Sequence, residues 1–206
     1  MWSRRLILAA IVAGAAALGA PARGGAEEFG DAARKFIETL AQRAIADLTS
    51  KEVPRQERVR RFRALMDEYF AWRGIAQWVL GRYWPRATPR QQKEYLDLYQ
   101  ELMIITYVDR FTNYAGETLS VLNGEVVDGR DALVHTLLTR PHSSDPLKVE
   151  WRVRAKEGLF KIIDIMVEGV SMGQAQRSEF ASAISQQGGD LDAFLKELRK
   201  RVRPDA

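Results

Sequence analysis

Few side chains in this sequence could carry out a reaction. The only histidines are His135 and His142, and cysteine is absent. A thiolate nucleophile, a disulfide, Cys-ligated zinc and an iron–sulfur cluster are therefore excluded. Two imidazoles are too few for a multi-histidine metal centre, so neither a metal nor a cofactor is expected. His135 falls between Leu133 and Leu137 in an alternating segment, where it could serve as a general base oriented by Asp109, Asp131 or Asp164. No nucleophile or metal motif accompanies it, so a hydrogen-bonded histidine on a strand is the preferred reading. His142, in the polar stretch 141–146, is expected to face solvent. Asp164 interrupts an apolar strand and needs a partner if it points inward, an arginine or a backbone amide. The sequence contains no G-x-S-x-G, Walker loop, dinucleotide glycine fingerprint or H-E-x-x-H, and no catalytic residue is assigned.

What the chain holds in surplus is apolar and aromatic surface. Trp78, Tyr83, Trp84, Tyr95, Tyr99, Tyr107, Phe111 and Tyr114 fall within 37 positions. Any one of them is ordinary core, but together they could wall a hollow with few polar groups, which suits an apolar ligand.

The elements that would position these residues are readable from periodicity. Apolar positions spaced by three and four predict a helix over 27–48, with Phe29, Ala33, Phe36, Ile37, Leu40, Ala44 and Leu48 inward. Pro54 opens a second helix whose stripe is Val59, Phe62, Leu65, Met66, Tyr69 and Phe70, with the arginines at 58, 60, 61 and 63 largely outside it. A short helix over 75–80 stops at Gly81. Thr88, Pro89 and Gln91 form a capping box that starts a long helix bearing Tyr95, Leu98, Tyr99, Leu102, Ile105 and Thr106 on one side, widened by Met103, Tyr107 and Phe111. Such breadth implies two contacts rather than one. From 118 the period becomes two, predicting strands over 118–127, 132–139, 149–156 and 159–168, the last two joined at Glu157-Gly158. Two helices close the chain, over 173–187 and after the Asp190 cap, and the second ends in Arg199-Lys200-Arg201 and Arg203. The expected fold is a single α+β domain over 23–206: a curved antiparallel sheet of about four strands packed against helices, enclosing an apolar pocket.

Residues 1–22 read as a cleaved signal peptide. Arg4 and Arg5 precede the uncharged run 6–18, and Ala20-Pro21-Ala22 offers small residues at the cleavage positions. The run is too short to span a bilayer. Removing the segment lowers the basic count from 31 to 29 against 27 acidic residues, a net charge of +2. An exported protein with so small a charge is not expected to bind nucleic acid. Export without disulfides suits a bacterial periplasm.

Three stretches carry a resemblance to a known family. They are Y-F-A-W-R-G-I-A-Q-W-V-L-G-R-Y-W-P-R-A-T-P-R-Q-Q (69–92), T-Y-V-D-R-F-T-N-Y-A-G (106–116) and I-I-D-I-M-V-E-G-V-S-M-G-Q-A-Q-R-S-E-F (162–180). The sequence resembles the MlaC/toluene-tolerance family of periplasmic phospholipid-binding proteins, with departures at Ala71 and Phe160. The resemblance implies a non-enzymatic carrier that holds acyl chains between sheet and helices. It would shuttle lipid between an inner-membrane ABC transporter complex and an outer-membrane lipoprotein complex, docking transiently at each. A sibling branch associated with hopanoids is an alternative. The family motifs support Val79, Thr106 and Ile165 as pocket lining; periodicity adds Tyr83, Leu98, Leu102, Phe111, Leu137, Val153 and Val167. Arg82 and Arg86, flanking Trp84, are candidates for the mouth or a docking face. The rival readings are an enzyme on a cone-shaped α+β fold using His135, and a structural partner-binding domain.

Overall fold

The computed structural model describes residues 23–203 apart from 142 and 144, so the expected signal segment and His142 lie outside the described residues. Six helices are formed: α1 (Arg23–Leu48), α2 (Arg55–Tyr69), α3 (Trp72–Leu80), α4 (Pro89–Thr112), α5 (Met172–Gln186) and α6 (Leu191–Val202), with a 3-10 turn, Gly81–Arg86, between α3 and α4. Local chemistry sets their ends. Gly81 takes φ of 59° at the end of α3, Thr88 and Gln91 form the expected reciprocal capping box on α4, and the Asp190 carboxylate caps α6.

The strands β1 (Thr118–Val126), β2 (Asp131–Thr139), β3 (Leu147–Lys156), β4 (Leu159–Val167) and β5 (Val170–Ser171) make an antiparallel meander in chain order. The fifth strand, two residues long, is absent from the sequence expectation, since so short a segment has no periodicity to read. Glu157 and Gly158 both have positive φ, the geometry of a two-residue hairpin that matches strand twist. Register shifts at Val121/Asn123 and Arg152/Val153 bend the sheet. The far edge of β4 is covered in part by the α2–α3 junction, where the Ala71 N–H donates to the Ile162 carbonyl at 2.9 Å.

Helices cover one face of this open sheet. Ala132, Val134 and Thr136 on β2 are buried against them, while Leu133, His135 and Leu137 point the other way. Helix α1 lies on β1 and β2 and approaches them backbone to backbone at Gly30 and Gly124. Its Ala33, Ile37, Leu40 and Leu48 join Leu65, Tyr69, Val153 and Ile162 in one apolar cluster. A second cluster gathers α3, the 3-10 turn, α4, α5 and α6 around Tyr95, Tyr99, Phe180 and Phe194. Phe62 and Phe70 pack against both.

Two expectations are corrected. Arg58 lies inside the α2 stripe, not outside it: it is 3% exposed, and its guanidinium donates to the carbonyls of Leu48 (2.7 Å) and Ser50 (2.9 Å) and to the Thr112 hydroxyl (2.9 Å). The Leu48 carbonyl ends α1 and lacks a partner within the helix, and a planar cation with five donors reaches both it and the Ser50 carbonyl just beyond. On α4, Ile104 and Val108 are buried, whereas Ile105 and Thr106 are exposed. Tyr95, Leu98, Tyr99 and Leu102 of α4 join the cluster formed with α3, α5 and α6, whereas Phe111 packs on the cluster of α1, α2 and the sheet, so the buried stripe shifts sides along the helix.

Candidate functional site

The groups that might have reacted are otherwise occupied. His135 sits on the outer sheet face, its Nδ1 2.9 Å from Glu150 and its Nε2 3.3 Å from Glu125. The three acids considered as its orienters are elsewhere. Asp109 pairs with Arg55 at 3.0 Å. Asp131 is fully buried and receives Arg154 at 2.6 and 2.7 Å and Arg152 at 2.9 Å; these guanidiniums, Arg154 foremost, hold its carboxyl below the usual carboxylate range. Asp164 accepts the Ser171 hydroxyl at 2.6 Å and the Gly173 amide at 3.1 Å, tying β4 to the start of α5. Its partners are a hydroxyl and backbone amides, the latter as expected. No group of three His, Asp or Glu side chains able to hold a metal ion occurs among the described residues.

The inner sheet face offers a different surface. Strand register aligns Val121 with Thr136, Thr136 with Val149, Val134 with Trp151, Trp151 with Ile165, and Val149 with Val167. Alternation therefore turns Val121, Trp151, Ile165 and Val167 toward the helical side. All four are only half-buried, although their neighbours Val134, Val153 and Ile162 are completely covered. Phe111, near the end of α4, is half-buried against the same cluster and lies 6.2 Å, ring to ring, from Phe62. The one polar pair on this face is internally satisfied. The Trp151 indole donates to the Thr136 hydroxyl at 3.1 Å, and that hydroxyl donates to the Val149 carbonyl at 2.7 Å. An apolar seam without charged strand residues remains on this face, between α1, which packs on β1 and β2, and Phe111 of α4.

The ten residues singled out from the sequence are not all brought together. Phe111, Val153 and Ile165 share the cluster at this seam, with Val153 in the covered core, and strand register places Val167 on the same sheet face. Val79, Tyr83, Leu98 and Leu102 belong to the helical cluster, where they are at most 8% exposed and pack against aromatic rings. Burial raises the phenol pKa of Tyr95 and Tyr99 in that cluster, and the Tyr95 hydroxyl donates to the Ala76 carbonyl at 2.8 Å. Thr106 is exposed on α4, and Leu137 stands on the opposite sheet face beside His135. Sequence reasoning passed over Trp151 and Val121. The alternation of Val149, Trp151 and Val153 was the signal that could have found the first; the register shift beside Val121 hid the second.

Among the described residues, two cavities open around the 3-10 turn. One, of about 610 Å³, is lined by Arg82, Tyr83, Arg86, Gln91, Ser185, Gly188, Gly189 and Leu191. The other, of about 230 Å³, lies between Val79–Tyr83 and α5. The Arg82 and Arg86 expected at a mouth or docking face thus line a cleft that is not the sheet seam.

A curved open sheet half-covered by helices, with an uncharged seam in place of a reacting constellation, defines an α+β protein built around apolar contact. Comparison with known proteins makes the class specific. The family model described as MlaC protein matches residues 38–200, and the chain belongs to that family. It is 24% identical over 123 residues to toluene tolerance protein ttg2D of Pseudomonas putida, which covers 59% of this chain and 57% of that protein. It is 24% identical over 125 residues to the intermembrane phospholipid transport system binding protein MlaC of Haemophilus influenzae, covering 59% of this chain and 58% of the relative. The matches thus span less than two thirds of either relative's length. Among solved structures, a phospholipid-binding protein from Ralstonia solanacearum in complex with a phospholipid superposes with a TM-score of 0.72 at 22% identity. That superposition covers 84% of this chain and 97% of that one, and it establishes the fold.

Proposed function

We propose that this protein is a periplasmic phospholipid carrier, without catalytic activity, whose acyl-chain slot is the seam between the inner sheet face and helices α1 and α4. The observation that carries the reading is the row Val121, Trp151, Ile165 and Val167: apolar, uncharged, inward-facing and left half-covered on an otherwise buried face. Membership of the MlaC family supports it, as does the phospholipid held by the structurally similar protein from Ralstonia solanacearum. The physical need is simple. Each buried CH₂ is worth about 0.8 kcal/mol, so one long acyl chain left in water costs roughly 10 kcal/mol. A carrier replaces the bilayer with an equally apolar slot, and transfer becomes nearly neutral and reversible. Its partners would be a donor and an acceptor membrane complex of an ABC-type transport system, reached after export and removal of residues 1–22. Among the described residues no helix is long and apolar enough to cross a membrane, which is compatible with a shuttle.

Native mass spectrometry and organic extraction of the freshly purified protein test the reading. Phospholipid is expected at defined stoichiometry. Ile165→Glu places a carboxylate in the seam and should abolish lipid retention, whereas Leu137→Glu, on the opposite sheet face, should leave it intact. A folded Ile165→Glu variant with unchanged lipid content would rule out the seam as the acyl-chain slot. Extraction of a hopanoid in place of phospholipid would reassign the ligand.

A further inference from the structure

The two cavities around the 3-10 turn have Arg82 and Tyr83 in common among their lining residues and so adjoin as a groove beside that turn and α5. Its two ends differ in chemistry. At the wide end Arg82 and Arg86 converge with the Gln91 and Ser185 side chains, and the floor is the α5–α6 turn. There Gly188 and Gly189 have φ of 68° and 85°, and a Cβ at either would meet nothing within 4 Å. Left-handed glycines keep this floor bare, so its backbone is open to an approaching chain. At the narrow end Val79, Leu80 and Ala181 make apolar walls beside Arg177. Exposed Trp78 extends this end, its indole 4.8 Å beneath the Arg177 guanidinium, which also donates to the Trp78 carbonyl at 3.0 Å.

The charges of the groove are uncompensated. Most arginines elsewhere meet acids: Arg90 holds Asp192, Arg201 holds Glu179, and Arg199 and Arg203 hold Glu94 and Glu101 on α4. The basic tail of α6 is thereby neutralised. Among the described residues, no carboxylate lies within 4 Å of the guanidiniums of Arg82, Arg86 or Arg177. The nearby acids are committed, Asp190 to the amides of Asp192 and Ala193, and Asp192 to Arg90. Arg82 is instead laid across the Tyr83 ring at 5.1 Å and donates to its hydroxyl at 3.0 Å, which fixes the direction of the cation.

We infer that this groove is a docking site for an acidic polypeptide segment of a partner protein, with its carboxylates at Arg82 and Arg86 and an apolar side chain at the Val79–Ala181 end. The volume fits a ligand larger than a single phosphate, within the range of about 300–1,000 Å³ usual for binding clefts. Unpaired cations at one end and apolar walls at the other complement a chain that carries acidic and apolar side chains a few residues apart. The inference is independent of the lipid slot, because the groove touches none of the seam residues.

The test uses a fluorescein-labelled peptide, Glu-Glu-Leu-Glu-Glu-Leu, read by fluorescence anisotropy at low salt against the whole protein. Its Gln-for-Glu counterpart and vesicles of phosphatidylglycerol and phosphatidylcholine are measured in parallel. Arg82→Glu/Arg86→Glu should weaken the acidic peptide at least tenfold. Arg130→Glu/Arg140→Glu, which changes net charge equally on other exposed sites, should change it less than twofold. Both double variants should keep their circular dichroism and any co-purified lipid, so failure of the groove and failure of the seam are told apart. Equal losses in the two double variants, or equal binding of the Gln peptide, would overturn the inference. Vesicle binding that depends on Arg82 and Arg86 without peptide binding would replace it with a membrane contact.

Discussion

The same substitution, glycine to alanine in a helix, should have opposite signs at two positions of this fold. Gly30 lies within α1 and Gly74 within α3. Each replacement gains about 0.5–1 kcal/mol of helix propensity by removing glycine's excess freedom in the unfolded chain. At Gly74 a new Cβ meets nothing within 4 Å. At Gly30 it would stand 2.4 Å from the Gly124 carbonyl oxygen and 3.0 Å from its carbon, where contacts below 3.0 Å essentially never occur. The obstacle is strand backbone and cannot rotate away, so α1 must lift from β1 and loosen Ala33 and Ile37 from the sheet. Overpacking of this kind costs about 1–3 kcal/mol, and a rigid obstacle places it near the top of that range. The net expectation is that Gly30→Ala loses about 2 kcal/mol while Gly74→Ala gains roughly 0.5–1 kcal/mol. Urea unfolding followed by circular dichroism measures both, and the midpoints should move in opposite directions at constant m-value. A Gly30→Ala protein as stable as the parent would refute the close seating of α1 on the sheet.

Two further outcomes test the polar anchors. Asp131→Asn should cost about 2–3 kcal/mol at neutral pH, below the usual 3–5 for breaking a buried pair because Arg152 and Arg154 are 40% and 38% exposed and can rehydrate. The folded-state pKa of Asp131 is lowered, so its contribution is present above the unfolded value near 3.8 and disappears as pH falls through the folded one. The gap between parent and variant in urea midpoint should therefore shrink progressively below about pH 4; a gap unchanged at pH 2 would contradict the assignment. Arg58→Lys should lower stability by about 2 kcal/mol in thermal melts, because one ammonium cannot reach the Leu48 and Ser50 carbonyls and the Thr112 hydroxyl together. An unchanged melting temperature would show that water or a local shift replaces the guanidinium.

Much of the architecture is legible along the chain because it is written in local chemistry. Thr88 with Gln91, Asp190 and Gly81 end or begin helices by satisfying backbone groups only a few residues away. The spacing of Ala33, Ile37 and Leu40, and the alternation through Val149, Trp151 and Val153, state which face is apolar before any partner is known. The family resemblance rests on such stretches. The candidate site was legible only in part: Phe111, Val153 and Ile165 share one cluster at the seam and Val167 lies on the same sheet face, but Val79, Leu98 and Leu102 fill the helical cluster. Periodicity identifies an apolar face and is silent about whether that face is sealed by protein or left half-covered.

Sequence alone determined the element types, the α+β class, the poverty of catalytic groups and the apolar stripes, all consequences of interactions within a few residues. Tertiary structure alone decided the rest. It buried Arg58 against the Leu48 and Ser50 carbonyls and the distant Thr112 hydroxyl, neutralised the basic end of α6 with acids of α4, and gave Arg82 and Arg86 a groove without carboxylates. It also turned Ile165 inward and Leu137 outward. Whether a charge is paired or a methyl group covered depends on what lies opposite in space, and residues far apart in the chain supply that only once the two layers have packed.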